Sequence, residues 1–274
     1  MGFAEKDTSL WWQYLPWNEI VERAKVCDVA VLPMGAIEQH GLHLPTGHDT
    51  IQLFPMLEEI ARRTKVMLLP CPWYGAHPAH HHLFPGTLPL QNDTARALIK
   101  DIVRGAAIAG YNKFLIFFGH GQAFMTNYTV QELGLEGYFI VSVMFQNMVK
   151  DVHFEIFETA FWHADEAETS VALYTHPELV DMSKAVAEWS TPLIDGGRFV
   201  QNPSEAATTK PARFDEGTWS IPEYKDLKYG VIGDPTLATR EKGERYVQII
   251  EDRMVEFIEE IKAKLPAGVK PPIK

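Results

Sequence analysis

The 274-residue chain carries 46% apolar and 22% charged residues, enough to bury a substantial core as one α/β domain over residues 1–274. Against 25 basic side chains stand 36 acidic ones, a formal charge of −11 with no cluster of Lys or Arg, which speaks against nucleic acid and anionic membranes as partners. Cys27 and Cys71 are too few for a disulfide framework or a thiolate zinc site, and no apolar run approaches the roughly 18 residues of a membrane helix. Without a basic, then apolar leader, the expectation is a cytoplasmic protein with reduced thiols.

In chain order, "WNEIVERAK" (17–25) reads as a short amphipathic helix, and "CDVAVLPMGA" (27–36) as a buried strand closed by Pro and Gly. "TKVMLLPCP" (64–72) repeats the strand pattern. Asn92 or Asp93 caps a helix whose apolar positions Leu98, Ile99, Ile102, Val103 and Ala106 keep helical spacing, and Gly110 ends it. "NKFLIFFGHG" (112–121) is a third strand, 123–134 a helix, and "YFIVSVMF" (138–145) a fourth strand. Helices are expected at 149–160 and 165–175, long loops over the sheet at 191–235, and a terminal helix at 238–265 with a Val247, Ile250, Met254, Ile258, Ile261 stripe. A flexible tail is expected from about 266. Strands that alternate with helices and are apolar along their whole length are covered on both faces, so the fold is α/β, a three-layer sandwich with a mostly parallel central sheet.

Ligands of open parallel sheets collect outside the carboxyl ends of the strands. Glu38 and His40 follow the first strand directly, with Asp49 shortly after, and His120 follows the third. Imidazole and carboxylate without thiolate form a donor set for zinc or manganese, and one Asp can bridge two cations.

Five ordered segments carry a family resemblance: "LPMGAIEQHGLHLPTGHDT" (32–50), "HLFPGT" (82–87), "FFGHGQ" (117–122), "HADEAETS" (163–170) and "GDPTLATREKG" (233–243). Together they resemble the creatininase (creatinine amidohydrolase) family over roughly residues 10 to 250. The resemblance implies a creatininase-like sandwich, a homohexamer, and two divalent metal ions per chain, Zn or Mn. By motif, Glu38 and His120 would hold one metal, His40 the other, and Asp49 would bridge them. Creatininase itself has a Glu two places after the metal-binding His; here that place is Gln122, so either Gln122 or Glu168 completes the second site. His163 matches the family histidine that protonates the leaving atom, a role suited to an imidazole near neutral pH. Gly121, Gln122, Trp162 and His81 are the expected substrate-pocket residues, while His43, His48 and the rest of the run His80-His81-His82 are surplus to the motif.

The chemistry implied is a metal-dependent hydrolysis in which activated water attacks the carbonyl of a small cyclic amide or related C–N bond. Creatininase places an aromatic directly after its metal His, whereas Gly121 has no side chain to stack on a flat ring. Ring opening of a cyclic diketone, as in inositol-catabolic relatives, is therefore the alternative, with formamide cleavage behind it. A dinucleotide-binding oxidoreductase would need Gly-x-Gly-x-x-Gly after a strand, and this chain offers "GAIEQHG" instead. A metal-free scaffold that kept the fold is the non-enzymatic alternative.

Overall fold

The computed structural model describes residues 6–78, 84–189 and 227–271. Four strands, β1 (Val29–Pro33), β2 (Met67–Leu68), β3 (Lys113–Phe118) and β4 (Phe139–Met144), form one sheet in the order β2-β1-β3-β4. Every pairing is parallel; Val31 sits opposite both Leu68 and Leu115, and Leu115 opposite Val141.

Alternation along the two central strands sorts their side chains into two cores. Val29, Val31, Leu115 and Phe117 enter the first, against helices α3 (Leu53–Thr64) and α8 (Arg240–Lys264). Ala30, Leu32, Phe114, Ile116 and Phe118 enter the second, against α1 (Trp17–Val26), α4 (Asn92–Ile108) and α5 (Ala123–Leu135). The three expected layers are thus present, with the terminal-helix stripe of Val247, Ile250, Met254, Ile258 and Ile261 buried as one seam.

Several elements differ from expectation. Helices α2 (His48–Ile51) and α3 were not anticipated. The strand read at 64–72 shrinks to two residues at the sheet edge, because Pro70 and Pro72 offer no N–H to a ladder. The helix read at 149–160 resolves into a 3₁₀ turn over Phe145–Val149 and one helical turn, α6 (His153–Ile156). The helix read at 165–175 is α7 (Glu166–Thr175), capped by Asp165, and α8 starts behind a Thr239 cap. Of the loops expected over 191–235, residues 191–226 lie outside the described residues, as do His80, His81 and His82. Both cysteines are free thiols, and no helix among the described residues is long and apolar enough to cross a membrane.

At the amino ends of the strands a buried ion pair closes the sheet. Lys113 Nζ lies 2.7 Å from both Asp28 oxygens, and Gly268 N donates to Asp28 Oδ2 at 2.9 Å, which ties down the start of the expected tail.

Candidate metal centre

Glu38, His40, Asp49 and His120 lie at the opposite, carboxyl rim. From β1 the chain runs through Gly35, where an added Cβ would collide with the Thr50 side chain; the missing side chain lets α2 lie against the strand exit. That approach is fixed by Thr50 Oγ1 donating to Ala36 O at 3.2 Å, and it brings Asp49 beside Glu38 and His40. β3 delivers His120 two residues beyond Phe118. The fourth contribution comes from the turn before α7, where non-glycine Ala164 sits at φ 49° and aims its N–H at Glu168 Oε2 (2.6 Å). A left-handed Ala costs about 1–2 kcal/mol, held here by the cap bonds from Ala167 and Glu168 N–H to Asp165.

Hydrogen bonds set the tautomers of the two central histidines. His40 Nδ1 lies 3.1 Å from Glu38 O and His120 Nε2 lies 3.0 Å from Ala76 O. A carbonyl only accepts, so both of those nitrogens carry the proton. The remaining nitrogens then present lone pairs to carboxylates. His120 Nδ1 is 2.9 Å from Glu38 Oε2 and 3.1 Å from Asp49 Oδ2. His40 Nε2 is 3.3 Å from Asp49 Oδ1 and 3.6 Å from Glu168 Oε2. Imidazole nitrogens facing carboxylates in a buried site need a proton or a metal cation between them, and metal-ligating histidines donate their other N–H in just this fashion. His40 Nε2 and both Asp49 oxygens are buried and make no hydrogen bond of sound geometry, so the residues present fit divalent metal.

Without a cation, protons carry part of the balance. Burial opposes ionisation of Asp49, yet the His40 and His120 charges outweigh it and hold its carboxyl well below the usual range. Burial lowers His40, but the Asp49 and Glu168 charges raise it further than burial depresses it. Burial lifts Glu168 to about 8.

Around this core the structure gathers Glu38, His40, Asp49, His120, His163 and Glu168, all buried. His163 Nδ1 is 3.9 Å from Glu168 Oε2, while its Nε2 lies 2.8 Å from Gln39 O and 3.0 Å from Gln39 Nε2. Gln122 is buried too, but its amide nitrogen is engaged by the carbonyls of Met34 (3.3 Å) and Gly35 (3.4 Å). Gly121 is exposed, and a Cβ there would meet Pro78 Cγ at 3.3 Å. Trp162 packs with Phe84 on Leu227 and Ile232. His81 lies outside the described residues.

Two buried histidines that sequence reasoning passed over join the cluster. His77 Nδ1 is 4.0 Å from Glu38 Oε1, with its ring 4.4 Å from that of His120; it follows β2 at the same rim, and the strand-end rule that found Glu38 would have found it. His48 stands next to Asp49 with its ring 4.9 Å from that of His40. One ligand-type atom each from His40, His48, Asp49 and Glu168 lie within 4.8 Å of one another, as do those of Glu38, His77 and His120.

A parallel α/β sandwich with a buried carboxylate–imidazole centre at its strand ends defines a class of metal-dependent hydrolases. The pattern of one such family, Creatininase (creatinine amidohydrolase), matches residues 13–258, and the chain belongs to that family. A 3-dehydro-scyllo-inosose hydrolase of Thermotoga maritima is 28% identical over 98% of this chain and 88% of its own length. The creatinine amidohydrolase of Pseudomonas putida is 26% identical over 90% and 95%. A solved manganese creatininase superimposes with a TM-score of 0.72 at 25% identity, covering 94% of this chain and 99% of that one. Likeness and donor set together make this a divalent-metal centre in an amidohydrolase-type enzyme.

Proposed function

We propose that the protein hydrolyses a small cyclic amide, or a related C–N bond, at a two-ion centre. Glu38 and His120 would hold one cation, His40 and Glu168 the other, with Asp49 shared between them. The carrying observation is the pair of fixed lone pairs, His120 Nδ1 and His40 Nε2, that face opposite oxygens of the Asp49 carboxylate at 3.1 and 3.3 Å. Two divalent cations, Zn or Mn, supply an activated water and a polarised carbonyl when bound. Glu168 Oε2 lies 3.6 Å from His40 Nε2 and 3.9 Å from His163 Nδ1, where the carboxylate would take up the proton lost by the attacking water and hand it to His163. His163, whose Nε2 is engaged by the Gln39 backbone carbonyl and side-chain amide, presents Nδ1 to the leaving nitrogen and protonates it. Burial keeps competing water away from both groups.

A second reading, ring opening of a cyclic diketone or keto-polyol, rests on the Thermotoga hydrolase likeness and on the absence of a stacking side chain at Gly121. The family resemblance implies a hexamer, and an exposed Phe124, Tyr128, Leu135 stripe on α5 beside the edge strand β4 offers an apolar face for self-association. The deciding experiment screens creatinine, other lactams, formamides and cyclic diketones with Mn- or Zn-loaded protein. Opening of lactams supports the amide reading, and diketone cleavage with inert lactams overturns it. Asp49→Ala should strip both ions and reduce hydrolysis to background, as read by elemental analysis.

A further inference from the structure

Behind the second-ion position a relay of hydrogen bonds runs out along α7. Thr175 Oγ1 donates its only hydrogen to Val171 O at 2.8 Å. At 2.7 Å from His176 Nδ1 that hydroxyl oxygen must therefore accept, and His176 carries its proton on Nδ1. His176 Nε2 is then a bare lone pair, 3.2 Å from His48 Nδ1, which must donate to it. The consequence reaches the centre: His48 Nε2 has no proton, is fully buried, and has no hydrogen-bond partner among the described residues. An orphaned, deprotonated imidazole nitrogen inside a group that also contains His40, Asp49 and Glu168 is the arrangement a metal ligand requires.

We propose that His48 is a ligand of the second cation through Nε2, alongside His40, Asp49 and Glu168, with His176 and Thr175 fixing its tautomer. This rests on the two-ion reading above. It also accounts for Gln122: with its amide nitrogen committed to the β1 exit, a neutral residue suffices there because a fourth donor arrives from α2. Four protein donors, two imidazoles and two carboxylates, are a set that Mn, or Zn expanded to five-coordinate, accepts with a position left for water or substrate.

The test uses metal-stripped full-length protein titrated with Zn and with Cd. Wild type should bind two ions. His48→Gln should keep the first and lose roughly tenfold or more in affinity for the second; His176→Gln, which frees the tautomer of His48 without removing a donor, should weaken that site by less. In wild-type protein loaded with ¹¹³Cd, imidazole ¹⁵N spectra should show His48 protonated at Nδ1 and coupled to cadmium at Nε2, a readout that needs no variant to fold. Two ions of unchanged affinity in His48→Gln, or a His48 Nε2 resonance unmoved by Cd, overturns the assignment. Wild type binding fewer than two ions overturns the two-ion reading itself, and that result is recognisable before any variant is made.

Discussion

Gln39 engages His163 Nε2 from both its backbone carbonyl at 2.8 Å and its side-chain amide at 3.0 Å, so only Nδ1 of that ring is available to a reacting atom. Glutamine in its place keeps a donor for the carbonyl and removes the group proposed to protonate the leaving atom. His163→Gln should lower kcat by about 10²- to 10⁴-fold with ion content unchanged, a split that turnover and elemental analysis read together. Glu38, His40, Asp49 and His120 were legible because a strand end followed by Glu-x-His is a local pattern, and the parallel order β1-β3 brings distant strand ends together. His48 and His176 were not. Their meaning depends on a hydrogen bond across 128 residues, and spacing along a chain carries no trace of that.

Where α7 meets α8, Gly243 lies against the backbone of Ser170 so closely that an added Cβ would strike the Ser170 carbonyl. Two effects oppose each other in Gly243→Ala: helix propensity favours Ala by about 1 kcal/mol, while the clash is with backbone that cannot rotate aside. The clash should win, with a net loss of about 1–3 kcal/mol in denaturant unfolding. Along the same helix, burial and the neighbouring Glu59 push Glu251 from its ordinary 4.5 to about 7. Between those values the folded chain holds a proton that the unfolded chain has released, so stability falls as pH rises through the window. Glu251→Gln should therefore match wild type near pH 4.5 and melt above it from about pH 8. The helix α3 was missed although Leu53, Met56, Leu57, Ile60, Ala61 and Thr64 keep helical spacing. Pro55 obscured it, yet within the first turn a proline removes only an N–H that has no helical partner.

Across the whole molecule the centre draws on β1, β3, α2 and α7, which come from both halves of the chain. Ions bound only by the folded form raise its stability by about 2.7 kcal/mol per site at a hundred times Kd. Chelator should lower Tm by roughly 5–10 °C, recovered by adding Mn or Zn and absent in Asp49→Ala. Layer order was legible at this scale because apolar strands between amphipathic helices admit few arrangements. The Asp28–Lys113 pair at the far rim was not, since nothing local marks a charge that will be buried.

Glu38, His40 and Asp49 are each 1% exposed and His120 is 3% exposed, so the ligand-type atoms of the centre are almost wholly shielded from bulk water. Cation exchange must then wait for the surrounding loops to part, and its speed is set by how often they do so rather than by how tightly the ions are gripped. Removal by EDTA should follow a slow first-order course whose rate is independent of chelator concentration. Protein isolated from the cell will carry whichever ions were present while it folded.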